Sequence, residues 1–356
     1  MDEARLRLLN DWQHGFPLVE RPFAEIGAAV GMSEDAVLAA YRAWQADGVV
    51  SRIGPVVAAR RLGASALAAL AVPAGDLDAV AARVSALPEV NHNYEREHRY
   101  NLWFVVAAPD AARLDAVFAG IEADTGLAAI VLPMEEAYHI DLGFDLGGGA
   151  PSPPAPLPRG ERENTIARTD VPGTKLPSPL AGEGRGEGAA CALPGIEHAL
   201  LHALQQGLPL VPRPFDALGE RVELSGALVC ALIDEWLAAG LLRRFGVVVR
   251  HHELGYTANA MCVWDVADGR VAELGRQLGA EPGVTLCYRR RHAPPHWPYN
   301  LFCMIHGRAR DEVLARRDAI AARLGLDAWP HAVLFSRRRF KQCGACYLPD
   351  PEAADA

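Results

Sequence analysis

The sequence contains no run of apolar residues long enough to cross a bilayer. Its opening, "MDEARLRLLNDW", lacks the basic-then-apolar order of an export signal. Both absences point to a cytoplasmic protein with no membrane partner. Cysteine is sparse and lopsided: Cys191, Cys230, Cys262, Cys287, Cys303, Cys343 and Cys346 are the only seven, and all lie in the second half. An odd number so placed makes a poor disulfide framework, so reduced thiols are expected. An excess of positive charge is also missing. The formal net charge of -9 excludes generalised attraction to nucleic acid or anionic lipid, so any basic site must be local. What is present is 356 residues, half of them hydrophobic, enough for two domains that each bury a core.

Residues 147–192 are crowded with Pro and Gly, show neither helical nor strand periodicity, and read as a disordered linker. A flexible chain of this length reaches roughly 35 Å, so it lets the flanking domains pack without dictating how. On either side the sequence repeats itself. "GFPLVERPF" from Gly15 returns as "GLPLVPRPF" from Gly207, an offset of 192 that also pairs Ser33 with Ser225, Trp44 with Trp236, Gly48 with Gly240 and Gly54 with Gly246. The offset is 194 between Tyr94, Arg96, His98 and Tyr288, Arg290, His292. It is 199 between Tyr100, Asn101 and Tyr299, Asn300, largely because "PPHWP" is inserted after His292. The chain is one unit written twice.

Within the first copy, a short helix over 3–11 precedes a Pro-led helix from Pro22. Ser33 then caps a third helix, with Val37, Leu38, Tyr41 and Trp44 on its apolar face and Gly48 at its end. "VVSRIGPVVA" is expected to be a strand pair, completing a winged helix-turn-helix. The remaining elements run β-α-β-β-α-β, with helices over 76–86 and 110–124, which is the ferredoxin-like order. The fold class is therefore α+β. Winged helix-turn-helix units are expected over 1–62 and 193–254, and ferredoxin-like domains over 63–146 and 255–350.

The twin motifs "NHNYEREHRYNLWFVV" and "TLCYRRRHAPPHWPYNLFCMIHG" fall at the turn between two adjacent strands. Alternation puts Tyr94, Arg96 and His98 on one face, with His92, and points Arg290 opposite to its neighbours. The second motif gathers Arg289, Arg290, Arg291, His292 and His296 among Tyr288, Trp297 and Tyr299. Guanidinium groups grip carboxylates in bidentate fashion, and aromatic faces suit a flat apolar body. Together they describe a flat ligand bearing many acids. A solvated charged turn is the bland alternative; the recurrence of the cluster at corresponding positions weighs against it. His139 and His306 read as core or edge residues. "CGAC", Cys343 to Cys346, is a lone CxxC without the further ligands that structural zinc needs.

A winged helix-turn-helix followed by a ferredoxin-like sandwich resembles the leucine-responsive regulator (Lrp/AsnC) family. That resemblance implies a sheet-to-sheet pseudo-dimer of the two halves, and a heme- or siroheme-responsive regulator as one functional reading. DNA binding is not expected, because the third helix of the first copy sets Glu34, Asp35 and Asp47 against Arg42 and its counterpart has no basic residue. "YEREHRYNLWFV", "CYRRRHAPPHWPYNLFCMIHG" and the tail "RRFKQCGACY" resemble the siroheme decarboxylases, with two subunit types fused in one chain. The resemblance implies a carboxy-lyase that removes two acetate carboxyl groups of siroheme, yielding didecarboxysiroheme for heme d1 in denitrification or for heme b by an alternative route. It implies no cofactor beyond the iron-containing substrate, and leaves further oligomerisation or partner decarboxylase subunits open. His98 and His292 become candidates for proton transfer, or for ligation of the substrate iron. Arg96, Arg99, Arg289, Arg290 and Arg291 become candidates for gripping carboxylates, with Tyr94, Tyr100, Tyr288, His296, Trp297 and Tyr299 as further contacts. One composite site and two nonequivalent sites both remain open.

Overall fold

The computed structural model describes residues 2–58, 62–140, 143 and 195–345. The linker and Cys346 lie outside these residues. The first copy runs α1 (Glu3–Asn10), α2 (Pro22–Val30), α3 (Glu34–Ala46), β1 (Val50–Val57), β2 (Ala64–Leu70), α4 (Leu77–Ala86), β3 (Val90–Arg96), β4 (Leu102–Ala108), α5 (Ala111–Thr125) and β5 (Ile130–Ile140). The second runs α6 (Gly195–Gln206), α7 (Pro214–Gly219), α8 (Gly226–Ala238), β6 (Leu242–Val249), β7 (Ala258–Trp264), α9 (Asp268–Gly279), β8 (Val284–Arg290), β9 (Leu301–Gly307), α10 (Arg310–Leu324) and β10 (His331–Gln342).

The helix ends follow local chemistry. Ser33 Oγ accepts the Ala36 N–H at 3.2 Å and Ser225 Oγ the Leu228 N–H at 3.3 Å, each satisfying a donor of the first turn. Gly48 and Gly240 stop the chain at φ of 77° and 70°, where a Cβ would be strained.

One expectation is corrected. "VVSRIGPVVA" is not a strand pair; Val50–Val57 is a single strand whose partner is β6 of the other copy, antiparallel, with Gly54 opposite Gly246. The two helix-turn-helix units thus share one two-stranded sheet and one continuous core. The glycines are required by close approach. The Val247 N–H donates to Trp12 O at 2.8 Å, and a Cβ on Gly246 would lie 2.4 Å from the carbonyl oxygens of Trp12 and Gln13.

The ferredoxin-like halves each form a four-stranded sheet, β5-β2-β4-β3 and β10-β7-β9-β8, with the helices on the outer face. Antiparallel pairing of β3 with β10 and of β5 with β8 closes the two sheets into one eight-stranded barrel. The inner faces of both halves fill it with a third apolar core that includes Trp103, Met261, Trp297 and Phe302. Because neighbouring strands all run antiparallel, the β3–β4 and β8–β9 turns emerge at the same end. That places both twin motifs at one mouth.

Candidate functional site

The shared part of the twin motif builds the barrel wall. Alternation along β3 holds for His92, Tyr94 and Arg96: the His92 and Tyr94 rings stack at 6.3 Å, and the Arg96 guanidinium lies 5.9 Å from the Tyr94 ring. Arg96 is buried and donates to Leu334 O of β10 at 3.0 Å. Its counterpart Arg290 lies 4.5 Å from the Tyr288 ring and donates to Leu132 O of β5 at 2.7 Å. Burial lowers the pKa of both guanidiniums. Each arginine ties its own half to an edge strand of the other, so the structure engages these four residues with protein.

Asn101 and Asn300 explain why Tyr-Asn-Leu is written twice. The Asn101 side chain accepts from Val72 N and donates to Val72 O, both at 2.9 Å. Asn300 does the same to Val266, at 3.0 and 2.8 Å. One amide satisfies a donor and an acceptor of the neighbouring chain where β2 or β7 ends. The role was missed from the sequence; the recurrence of the pair was its signal.

His98 lies past the end of β3, in the turn, so strand alternation does not place it as expected. It stacks on Tyr100 at 6.1 Å and meets the edge of Trp297 of the other half at 5.4 Å. Its Nδ1 accepts the Tyr100 N–H at 3.1 Å, which in the neutral ring assigns the proton to Nε2. Burial, and then the nearby Arg99 charge, lower its pKa from 6.5. Arg99 is exposed, 5.9 Å from the Tyr100 ring, with no carboxylate partner among the described residues.

The segment "APPHWP", which contains the insertion, turns back on itself through the Ala293–Trp297 bridge and a cis peptide at Pro294–Pro295. It drives Trp297, fully buried, between Trp103 at 4.9 Å and Tyr299 at 5.0 Å. The Trp297 indole N–H has no acceptor there. His292 stands at the rim with Nε2 3.5 Å from Asp265 Oδ1, and His296 is exposed at the turn's tip. Asp265 had no signal in the sequence. Arg289 and Arg291 point outward, as alternation required, and both meet Glu135 of the other half, at 2.8 and 3.7 Å.

A separate small cleft, partly open to solvent, lies beside Tyr94, Arg250, His252 and Arg339. The adjoining Arg337, Arg338 and Arg339 are already paired with Glu97, Glu95 and Glu253. The recognition-helix positions are committed as well. Arg42 donates to Leu210 O at 2.6 Å, and Glu34 is salt-bridged to Arg21. Nothing in this geometry favours the regulator reading.

Residues 6–50 and 197–243 match the family model of the siroheme decarboxylase NirDL-like HTH domain, and residues 61–139 and 253–341 that of the AsnC-like ligand binding domain. The siroheme decarboxylase NirDL subunit of Paracoccus denitrificans is 43% identical over 345 residues, covering 97% of each chain. This chain belongs to the siroheme decarboxylase family. A half-length relative, the siroheme decarboxylase NirD subunit of Stutzerimonas stutzeri, is 55% identical over 147 residues, 41% of this chain and 97% of its own. The crystal structure of the siroheme decarboxylase NirDL in co-complex with an iron-uroporphyrin III analogue superposes with a TM-score of 0.63 at 27% identity, covering 97% of this chain and 94% of that one. Among the described residues of this siroheme decarboxylase, no helix is long and apolar enough to cross a membrane. Cys230, Cys262, Cys287, Cys303 and Cys343 carry free thiols.

Proposed function

We propose that this siroheme decarboxylase acts at the barrel mouth where its two halves meet, removing the carboxyl groups of two acetate side chains of siroheme to give didecarboxysiroheme. The observation that carries the reading is the composite junction there. His98 and Tyr100 of one half close on Trp297 and Tyr299 of the other, in a chain that matches siroheme decarboxylases along nearly its whole length.

The chemistry asks little beyond placement and protons. When the bond to the departing carboxylate breaks, CO2 leaves and its electron pair stays on the acetate CH2, delocalised into the macrocycle. One proton on that carbon completes a methyl group. Acetate side chain plus proton gives methyl plus CO2, so no external oxidant, reductant or further cofactor is consumed. His98, with its proton on Nε2, serves as a hydrogen-bond donor to the reacting side chain rather than as an iron ligand. His292, whose Nε2 faces Asp265 at 3.5 Å, carries the proton. Arg99, free of carboxylate partners among the described residues, grips a peripheral acid group. The apolar floor of Trp297 and Tyr100 disfavours the charged carboxylate relative to neutral CO2.

The test is anaerobic incubation with siroheme and mass spectrometry of the extracted tetrapyrrole. Stepwise loss of two carboxyl groups is expected from the wild type, with turnover abolished in His98→Ala and His292→Ala while the far-UV spectrum is retained. Normal turnover in both variants would remove the mouth as the site.

A further inference from the structure

The two seams that close the barrel are equivalent strand by strand. β3 corresponds to β8 at an offset of 194 and β5 to β10 at an offset of 202, so Met134 opposite Arg290 matches Ser336 opposite Arg96. Both seams carry irregularities at the same two places, after Met134 and Ala137 in one and after Ser336 and Arg339 in the other. The backbone therefore obeys the twofold relation through both bulges. The charges do not. Glu95 corresponds to Arg289, Glu97 to Arg291, Glu135 to Arg337 and Glu136 to Arg338.

At all four positions the first half carries an acid and the second half a base. In the native pairing all of these except Glu136, which is exposed, form ion pairs across the seams. Arg338 meets Glu95; Arg337 meets Glu97 at 3.2 Å, and Glu97 also receives Arg310 at 2.7 Å. Arg289 meets Glu135 at 2.8 Å. Pairing two first halves through the same register would set Glu95 and Glu97 against Glu135 and Glu136 at both seams. Pairing two second halves would set Arg289 and Arg291 against Arg337 and Arg338. Like charges placed opposite each other on adjacent strands repel, and the twofold symmetry repeats each clash.

We infer that these four charge-inverted positions are a pairing code: the sheet edges of an acidic half select a basic half as partner and reject a second copy of themselves. Backbone hydrogen bonding along β3 and β10 is the same for either partner, so discrimination has to come from side chains, and repulsion in the wrong complex is the usual device. Fusion alone does not provide it, because two chains joined by long linkers can still exchange halves. Relatives that span a single half, such as the 147-residue match, meet the same choice without a linker. The code accounts for Arg289 and Arg291 independently of siroheme.

The test uses the full chain. In E95R/E97R one seam sets base against base; light scattering should show cross-paired species above monomer mass, and the melting temperature should fall, with both defects lessening at high salt. In E95R/E97R/R310E/R337E/R338E, with Arg310 reversed because it too meets Glu97, the seam is inverted but complementary, and the single-chain mass and most of the melting temperature should return. An unchanged mass and melting temperature in the first variant would overturn the inference. So would a second variant as damaged as the first, because residues with only local structural roles are not rescued by reversing their partners.

Discussion

At the residue scale, the twin motif separates into residues that hold the barrel and residues that stand at its mouth. Asn101 and Asn300 belong to the first group, because each side chain satisfies both backbone groups of a valine. Asn101→Ala or Asn300→Ala leaves a donor and an acceptor without their partner, and each should cost ~1–3 kcal/mol in urea unfolding. His92 offers a pH signature. Burial first, and then the nearby Arg52 charge, push its pKa down to about 4 from 6.5. Between those values the unfolded chain binds a proton that the folded protein refuses, so stability falls as pH drops through the window and its contribution levels off below about 4. The loss should reach about 3 kcal/mol and be absent in His92→Phe, as read from denaturant midpoints at pH 7 and pH 4.5.

At the element scale, the shared sheet of β1 and β6 depends on two glycines at its centre. A methyl group on Gly246 meets backbone oxygens at 2.4 Å, and these cannot retreat without losing the Val247 bond to Trp12. On Gly54 the nearest atom, Leu204 O, stands at 3.0 Å. Gly246→Ala should therefore lower stability by at least ~2 kcal/mol and Gly54→Ala by ~1 kcal/mol, with the order of the two as the sharper check. Helix ends were legible beforehand because Ser33, Gly48 and their counterparts act on chain within a few residues of themselves. The strand pair expected in "VVSRIGPVVA" failed for the opposite reason: its partner is about 190 residues away, and local pattern carries no information about which strand lies alongside.

At the scale of the whole molecule, the barrel is closed where the acidic and basic halves meet. Glu97 reports on that seam. The Arg310 hydrogen bond, supported by Arg337, holds its carboxyl at about 2. Its contribution is present above the unfolded value near 4.5 and is lost as pH falls toward 2. Acid titration should therefore loosen the β3–β10 seam: amide protection along β3 should fall between pH 4.5 and pH 2.5 in the wild type and stay level in Glu97→Gln, which has no charge to lose. The same seam explains why only part of the site was readable. Residue types and their recurrence drew attention to the twin motif, yet Arg96 and Arg290 proved to be spanning ties to the opposite half and Arg289 and Arg291 outward partners of Glu135.

By itself the sequence determined the duplication, the order of elements in each copy, the absence of a basic recognition helix and the chemical character of the twin motif. All of these follow from residue identity and short-range periodicity. The tertiary structure decided that both motifs open at one mouth, that Trp297 of one half covers His98 of the other, and that the two helix-turn-helix units share a single sheet. Those outcomes depend on which distant strands pair. Such pairing is fixed by backbone hydrogen bonds, which are alike for every sequence, and by side-chain charges whose meaning appears only when the two halves are set face to face.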